Sequence, residues 1–291
     1  MNGVSAVVAS SGVVLVIGGT GRQGSTVIRR LREYGLPVRV LADEPTSGET
    51  QALRQRGVEL VRGSLDDRAS LDQALTGVDA LFLVLDQTDA GPSGRLRRGK
   101  AVGDAAKQAG VQHVVYSAAT GADHHLIACD QSKKIEDHLR RLDLPLTVLR
   151  PVTVMEEIPW NWLSLLGREA TLATPYAATT KLPMICVDDV GGLAARAIAA
   201  PGQFEGQTIE IAGDKASTAE VADLLTRALH QEVRVTEVQA EGVFMLAETD
   251  EPSVDIPWLR NLYPQLHTLS SWLAPGGGLE LCRRALARQA V

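Results

Sequence analysis

The sequence predicts an α/β fold of the Rossmann type, a doubly wound parallel sheet with a smaller C-terminal α/β lobe. Short apolar runs alternate with longer amphipathic runs along the first half of the chain, which is typical of strands joined by crossover helices. The apolar runs lack polar/apolar alternation, so helices should cover both faces of the sheet. A glycine-rich turn over residues 18–24 joins the first apolar run to the first amphipathic run, as in dinucleotide-binding folds.

The elements of the first half follow from these periodicities. The apolar runs predict strands at Val13–Ile17, Val38–Leu41, Val58–Val61, Ala80–Leu85, His113–Ser117 and Leu146–Leu149. The amphipathic runs predict helices at Gly24–Glu33, Thr46–Arg56, Arg68–Leu75, Gly99–Ala109 and Ser132–Leu142. We therefore assign residues 1–150 to a dinucleotide-binding Rossmann domain.

The rhythm changes after Arg150-Pro151, where prolines and tryptophans interrupt the pattern. We assign residues 151–291 to a smaller lobe for a substrate or partner, with a segment of about 186–212 returning to the core. The remaining periodic runs predict helices at Asp188–Ala200 and Ser217–Leu229 and strands at Thr208–Ile211 and Val233–Val238. Ser217 and Glu220 have the spacing of a capping box, which predicts a helix start at that point.

Composition limits the classes of function. The 291 residues are 45% hydrophobic, enough for a sizeable core, and carry a net charge of −6 with dispersed lysines and arginines. The phosphate backbone of a nucleic acid binds best to a concentrated basic face, so we expect no direct nucleic-acid binding.

Cys129, Cys186 and Cys282 are odd in number and lack metal-ligand spacing, which favours a reducing, cytoplasmic location and no metal site. No apolar run reaches the roughly 18 residues of a membrane helix.

The glycine turn carries the strongest chemical signal. Gly18, Gly21 and Gly24 let the strand turn sharply, let backbone approach a pyrophosphate, and let the helix pack close to the strand. The helix N-terminus then offers N–H groups and partial positive charge to phosphates. The strand–turn–helix context predicts a bound dinucleotide.

The residue after the second strand bears on which dinucleotide binds. Asp43 lies 19 residues beyond Gly24, close to the spacing of about 20 for a carboxylate that bonds the adenosine ribose. A carboxylate there repels a 2′-phosphate, which favours NAD. Arg22 lies within the turn and is placed to reach a 2′-phosphate, so both NAD and NADP stay open.

Several segments together resemble the NmrA-like proteins, an atypical branch of the short-chain dehydrogenase/reductase superfamily. Gly18-Gly19-Thr20-Gly21-Arg22-Gln23-Gly24 is similar to the family's GATGxQG turn, residues 61–67 to its adenine-side turn, and residues 183–185 with 187–191 to its returning segment. Asp43 and Ser64 depart from the family's usual Arg and Asp. The turn and the resemblance predict cofactor contacts from Gly18, Thr20, Gly21, Arg22, Gln23, Gly24, Asp43, Ser64, Leu65, Val84, Leu85, Ser117 and Lys133.

The superfamily's catalytic set is incomplete here. Its members use Tyr-x-x-x-Lys with a Ser or Thr, the lysine lowering the tyrosine pKa. The resemblance implies Lys133 as the lysine and as the one catalytic candidate, but Cys129 stands four residues earlier. Ala119 occupies the serine position, and Tyr116 is expected to pack in the sheet.

Three hypotheses follow for function. The resemblance and the missing tyrosine favour an NAD(P)-binding regulatory or redox-sensing protein with a protein partner. The alternative is an NAD(P)H-dependent reductase of a small quinone or aromatic carbonyl compound. The third is a scaffold whose cleft binds another metabolite. His124-His125 has no third ligand in view, so the sequence predicts no metal.

Overall fold

The computed structural model describes residues 12–44, 46–85, 91–118, 127–167, 169–238 and 254–289. The chain divides into two compact units. The first unit holds residues 1–150 and 190–209, and the second holds residues 151–189 and 210–291. No helix in the described part of the chain has both the length and the apolar character that crossing a membrane requires.

The first unit contains a seven-stranded sheet with helices between its strands, which confirms the predicted Rossmann-type α/β fold. Its strands are β1 Val13–Ile17, β2 Val38–Ala42, β3 Glu59–Arg62, β4 Val78–Leu83, β5 His113–Ser117, β6 Leu146–Pro151 and β11 Thr208–Ile211. Its helices are α1 Arg22–Glu33, α2 Gly48–Gln55, α3 Arg68–Leu75, α4 Gly91–Ala109 and α5 Ile127–Arg141, and α6 Val187–Ala199 also contributes residues to it.

The strand order sets the position of a ligand crevice. The order is β11-β6-β5-β4-β1-β2-β3, and β1 pairs in parallel with both β2 and β4. The chain therefore moves outward from β1 in one direction and, after β3, returns to β4 on the other side. In open parallel sheets, ligands bind beyond the carboxyl ends of the strands at such a reversal. The ends of β1 and β4 are the place to look for a site.

The two long helices α4 and α5 begin earlier than the sequence predicts, at Gly91 and Ile127. A Cβ on Gly99 would lie 2.7 Å from the side chain of Ile135, and one on Gly103 would lie 2.6 Å from that of Leu139. Glycines that weaken helix propensity in isolation here let two helices pack closely. Tertiary packing therefore outweighs local propensity in this segment.

The second unit has its own core and two three-stranded sheets, ordered β12-β10-β7 and β13-β9-β8. Its strands are β7 Thr153–Val154, β8 Leu163–Leu166, β9 Glu169–Thr174, β10 Lys181–Ile185, β12 Asp214–Ser217 and β13 Val233–Glu237. Its helices are α7 Thr218–Leu229, α8 Ile256–Leu262, α9 Leu269–Trp272 and α10 Gly278–Gln289. The Ser217–Glu220 capping box is confirmed, with both of its reciprocal hydrogen bonds formed.

A buried histidine in β5 is expected to make stability depend on pH. His113 is 3% exposed, and its Nε2 lies 2.9 Å from Oγ1 of Thr147, which itself donates to the Phe204 carbonyl. Nε2 therefore carries the proton and donates. Burial lowers the His113 pKa from 6.5 to about 4, because the charged ring would lose its hydration.

The depressed His113 pKa predicts acid destabilisation. Between pH 6.5 and about 4 the unfolded chain binds the extra proton and the folded chain does not, so stability is full above this window and falls as pH falls through it. We expect the free energy of unfolding in urea to drop by about 2 kcal/mol from pH 7 to pH 5 through this group. His113→Gln keeps a donor for Thr147 without titrating and should lack this component. An identical pH profile in both proteins would contradict the assignment.

Candidate functional site

The turn between β1 and α1 is built from glycine for steric reasons. Gly18 has a φ of 78°, a left-handed conformation that side chains with a Cβ rarely adopt. A Cβ on Gly24 would lie 2.0 Å from the carbonyl oxygen of Gly18, and the Gly21 N–H donates to this same oxygen at 3.0 Å. The backbone therefore folds back on itself and leaves no room for a side chain at position 24.

The first turn of α1 has the properties of an anion-binding helix end. Gly21 is its N-cap, and among the described residues no side chain caps the helix there or places an acid in its first turn. Thr20 and Arg22 are exposed beside it. Leading N–H groups and the helix dipole favour negative charge at this end. The turn can therefore receive a phosphate group.

Neighbouring strand ends surround this turn. Val84 directly follows β4, and a Cβ on Gly18 would lie 2.6 Å from its carbonyl oxygen. At the end of β5, Ser117 Oγ donates to Oε1 of Gln23 at 2.7 Å. The structure thus places these four predicted residues at the carboxyl ends of β1, β4 and β5. Leu85, also predicted, is buried next to Val84.

Residues predicted on the adenosine side follow β2 and β3. Asp43 is exposed immediately after β2. Ser64 and Leu65 are half-buried after β3, where Ser64 Oγ accepts the N–H of Asp66 at 3.3 Å. Hydrogen bonds from Arg98 and Arg97 hold the pKa of the Asp66 carboxyl well below its usual value. These positions follow the adjacent parallel strands β2 and β3, and their contact with an adenosine stays a prediction.

The catalytic candidate lies inside a helix rather than at its start. The predicted start of this helix at Ser132 is wrong, because α5 begins at Ile127, and Lys133 therefore occupies its second turn. Its Nζ pairs with the Asp137 carboxylate one turn later, and the lysine side chain is 35% exposed. Tyr116 is fully buried, which raises its pKa. The positions Ala119, Thr120, His124 and His125, and the side chain of Cys129, lie outside the described part of the chain.

A buried ionic network on α5 and β6 was not anticipated from the sequence. Glu136 is 3% exposed and accepts hydrogen bonds from Arg150 at 3.0 Å and from Arg140 at 3.1 and 3.2 Å. Arg150 is itself 9% exposed. This network ties the helix that carries Lys133 to the sheet. Fourteen residues separate Glu136 from Arg150, so helical spacing gives no signal for this pair.

A second polar cluster, in the second unit, was also missed. Asp189 is fully buried and accepts hydrogen bonds from the backbone N–H and Nδ1 of His267 at 2.7 and 2.9 Å. Cys186 lies against it, and burial together with the Asp189 charge raises the pKa of this thiol far above its usual range. Nearby, Glu156 accepts from Val187 N–H, and burial raises its pKa. The predicted helix Asp188–Ala200 places Asp189 near a helix N-terminus, but its partner His267 lies 78 positions away and gives no local signal.

Comparison with known proteins gives a family and several named relatives. The NmrA-like family matches residues 10–255. A (4-alkanoyl-5-oxo-2,5-dihydrofuran-3-yl)methyl phosphate reductase of Streptomyces griseus is 34% identical over 248 residues, covering 82% of this chain and 83% of the relative. An NAD(P)H azoreductase of Xenophilus azovorans is 30% identical over 237 residues, covering 79% and 78%.

Solved structures of NmrA, a negative transcriptional regulator, share the fold. The complex with NADP has a TM-score of 0.76 and the complex with NAD one of 0.78; each is 19% identical and covers 95% of this chain and 98% of the other. At this identity the likeness establishes the fold alone.

Proposed function

The chain belongs to the NmrA-like family, and from this premise we propose that it binds a nicotinamide dinucleotide and reduces a small, electron-poor conjugated compound. The observation that carries the proposal is the glycine turn. Gly24 lies so close to the Gly18 carbonyl that no side chain fits at position 24, so backbone lines this part of the turn. The turn adjoins the start of α1, where no described side chain caps the helix. These features fit the pyrophosphate of a dinucleotide.

Several of the predicted residues then have a role toward that cofactor. Gly18, Gly21 and Gly24 shape the phosphate cradle, and the Ser117–Gln23 hydrogen bond holds the turn against the end of β5. Asp43 would bond the adenosine ribose hydroxyls, which favours NAD over NADP because a carboxylate repels a 2′-phosphate. Lys133 is proposed to contact the nicotinamide ribose.

The missing tyrosine limits the kind of substrate. A bound reduced nicotinamide supplies a hydride. Reducing a simple carbonyl also requires a positioned acid, and the superfamily's tyrosine provides it. In this chain Cys129 stands at the position of that tyrosine. A conjugated acceptor delocalises the incoming negative charge and takes its proton from water. The reductase relatives support this choice, since the Streptomyces name describes a ring double bond conjugated to two carbonyls and the Xenophilus name an azo bond.

A regulatory role is the second candidate function. It is favoured by the same missing tyrosine and by the structural likeness to NmrA. In this case the chain would bind the dinucleotide without turnover and would regulate a protein partner. Either role suits a reducing, cytoplasmic environment, where the buried Cys186 and Cys282 would form no disulfides.

Titration calorimetry with NADH, NAD, NADPH and NADP, followed by turnover assays, tests the proposal. We expect NAD(H) to bind at least about tenfold more tightly than NADP(H), because the Asp43 carboxylate repels the 2′-phosphate. A tenfold ratio corresponds to about 1.4 kcal/mol of binding free energy. Asp43→Asn should reduce the ratio. We also expect steady NADH oxidation with 1,4-naphthoquinone, an azo dye or an alkanoyl butenolide. Binding without oxidation would favour the regulatory role, and failure to bind any of the four would refute both.

A further inference from the structure

Three metal-ligating side chains of the second unit converge on one point. Cys186 directly follows β10, Asp189 lies in the first turn of α6, and His267 precedes α9. Their ligand atoms all lie within 4.8 Å of one another. Nδ1 of His267 is 3.5 Å from Sγ of Cys186 and 2.9 Å from Oδ1 of Asp189.

The shared nitrogen distinguishes a metal site from a nucleophilic triad. In a triad, one ring nitrogen of the histidine faces the nucleophile and the other faces the carboxylate. Here Cys186 and Asp189 both approach Nδ1 of His267. This arrangement cannot relay a proton from thiol to carboxylate through the ring, but it surrounds a common position with sulfur, nitrogen and oxygen donors.

The distances suit a zinc ion. With usual bond lengths, tetrahedral Zn²⁺ separates its sulfur and nitrogen ligands by about 3.5 Å and its nitrogen and oxygen ligands by about 3.4 Å. The Cys186–His267 separation of 3.5 Å already matches. The Asp189–His267 separation of 2.9 Å must widen by about 0.5 Å, and the His267 side chain, 34% exposed, has room to turn.

The surroundings favour a cation and hold the ligands in place. Asp189 and Cys186 are almost fully buried, and the buried Glu156 carboxylate accepts the N–H of the residue after Cys186. On the other side, a Cβ on Gly213 would lie 2.3 Å from the carbonyl oxygen of His267, and Arg260 donates to the Gly213 carbonyl at 2.6 Å. The His267 backbone is therefore positioned without a metal, so an ion would meet a largely formed site.

We propose that Cys186, Asp189 and His267 form a mononuclear Zn²⁺ site, with water as the fourth ligand on the exposed side of His267. Binding releases the Cys186 thiol proton to solvent and transfers the imidazole proton from Nδ1 to Nε2. The thiolate and carboxylate then balance the charge of the ion. The sequence predicted no metal, because Cys186 and His267 are 81 residues apart.

Cobalt substitution of the full-length chain tests the site directly. After chelator treatment, we expect one equivalent of Co²⁺ per chain to bind, with visible bands of tetrahedral cobalt and a near-ultraviolet thiolate-to-cobalt charge-transfer band that Zn²⁺ abolishes. Cys186→Ser should remove the charge-transfer band and weaken Zn²⁺ binding by at least about 100-fold, since losing even a hydrogen-bond partner of a metal ligand costs about 10–100-fold.

Cys282→Ala is the matched control, because Cys282 is equally buried in the same core but lies outside the cluster of ligand atoms. It should keep the band, as should Cys129→Ser. If Cys186→Ser fails to fold, the spectra of the wild type, Cys282→Ala and Cys129→Ser decide together, because Cys186 is the one cysteine that all three proteins share. Lack of stoichiometric Co²⁺ binding, absence of a charge-transfer band, or its persistence in Cys186→Ser would overturn the proposal.

Discussion

Gly24→Ala is expected to lower the affinity for NADH and NADPH by at least about 100-fold, equivalent to about 3 kcal/mol of binding free energy. The new methyl group would lie 2.0 Å from the Gly18 carbonyl oxygen, 2.6 Å from its carbonyl carbon and 2.8 Å from Cα of Gly19. All three are backbone atoms, so no side chain can swing away to relieve the clash. The turn must open, and the phosphate cradle opens with it.

Gly48→Ala is the matched control for this change. Gly48 also lies in the first turn of a helix, but a Cβ there meets nothing within 4 Å. Calorimetric titration of both variants should show lost binding only for Gly24→Ala, while circular dichroism confirms that each remains folded. Wild-type affinity in a folded Gly24→Ala protein would show that the turn does not bind the dinucleotide.

Glu136→Ala is expected to reduce the free energy of unfolding by about 3–5 kcal/mol, the usual cost of removing one member of a buried ion pair. Glu136 is 3% exposed and accepts from Arg150, which is 9% exposed, at 3.0 Å. Without the carboxylate, the buried guanidinium loses the counter-charge that offsets its desolvation. The loss in the free energy of unfolding should exceed that caused by truncating an ordinary side chain on a helix surface.

Urea denaturation at neutral pH measures this loss, and Glu33→Ala provides the comparison. Glu33 also pairs with two arginines, Arg29 and Arg30, but its side chain is 49% exposed. Exposed pairs contribute about 0–1 kcal/mol, so its removal should change stability little. Comparable losses in the two variants would mean that burial adds nothing to the Glu136 network.

Local signals predicted the frame of the first unit. β1, β5, β11 and α3 have the predicted bounds, because their apolar or amphipathic spacing involves only residues close together in the chain. The helices α4 and α5 were predicted too short, because both begin before the predicted starts at Gly99 and Ser132. The strands β7 to β10 were not predicted, because β7 and β8 have only two and four residues and prolines and turns interrupt the segment.

The fold class, the family resemblance and the glycine turn can be predicted from sequence, because each rests on short segments whose residues are close together in the chain. The folded structure is needed to learn which distant polar groups meet: Ser117 with Gln23, Glu136 with Arg150, and Asp189 with His267. These contacts join residues 14 to 94 positions apart. Hydrophobic periodicity records which face of an element is buried, but it carries no information about which polar side chain another element brings to that face.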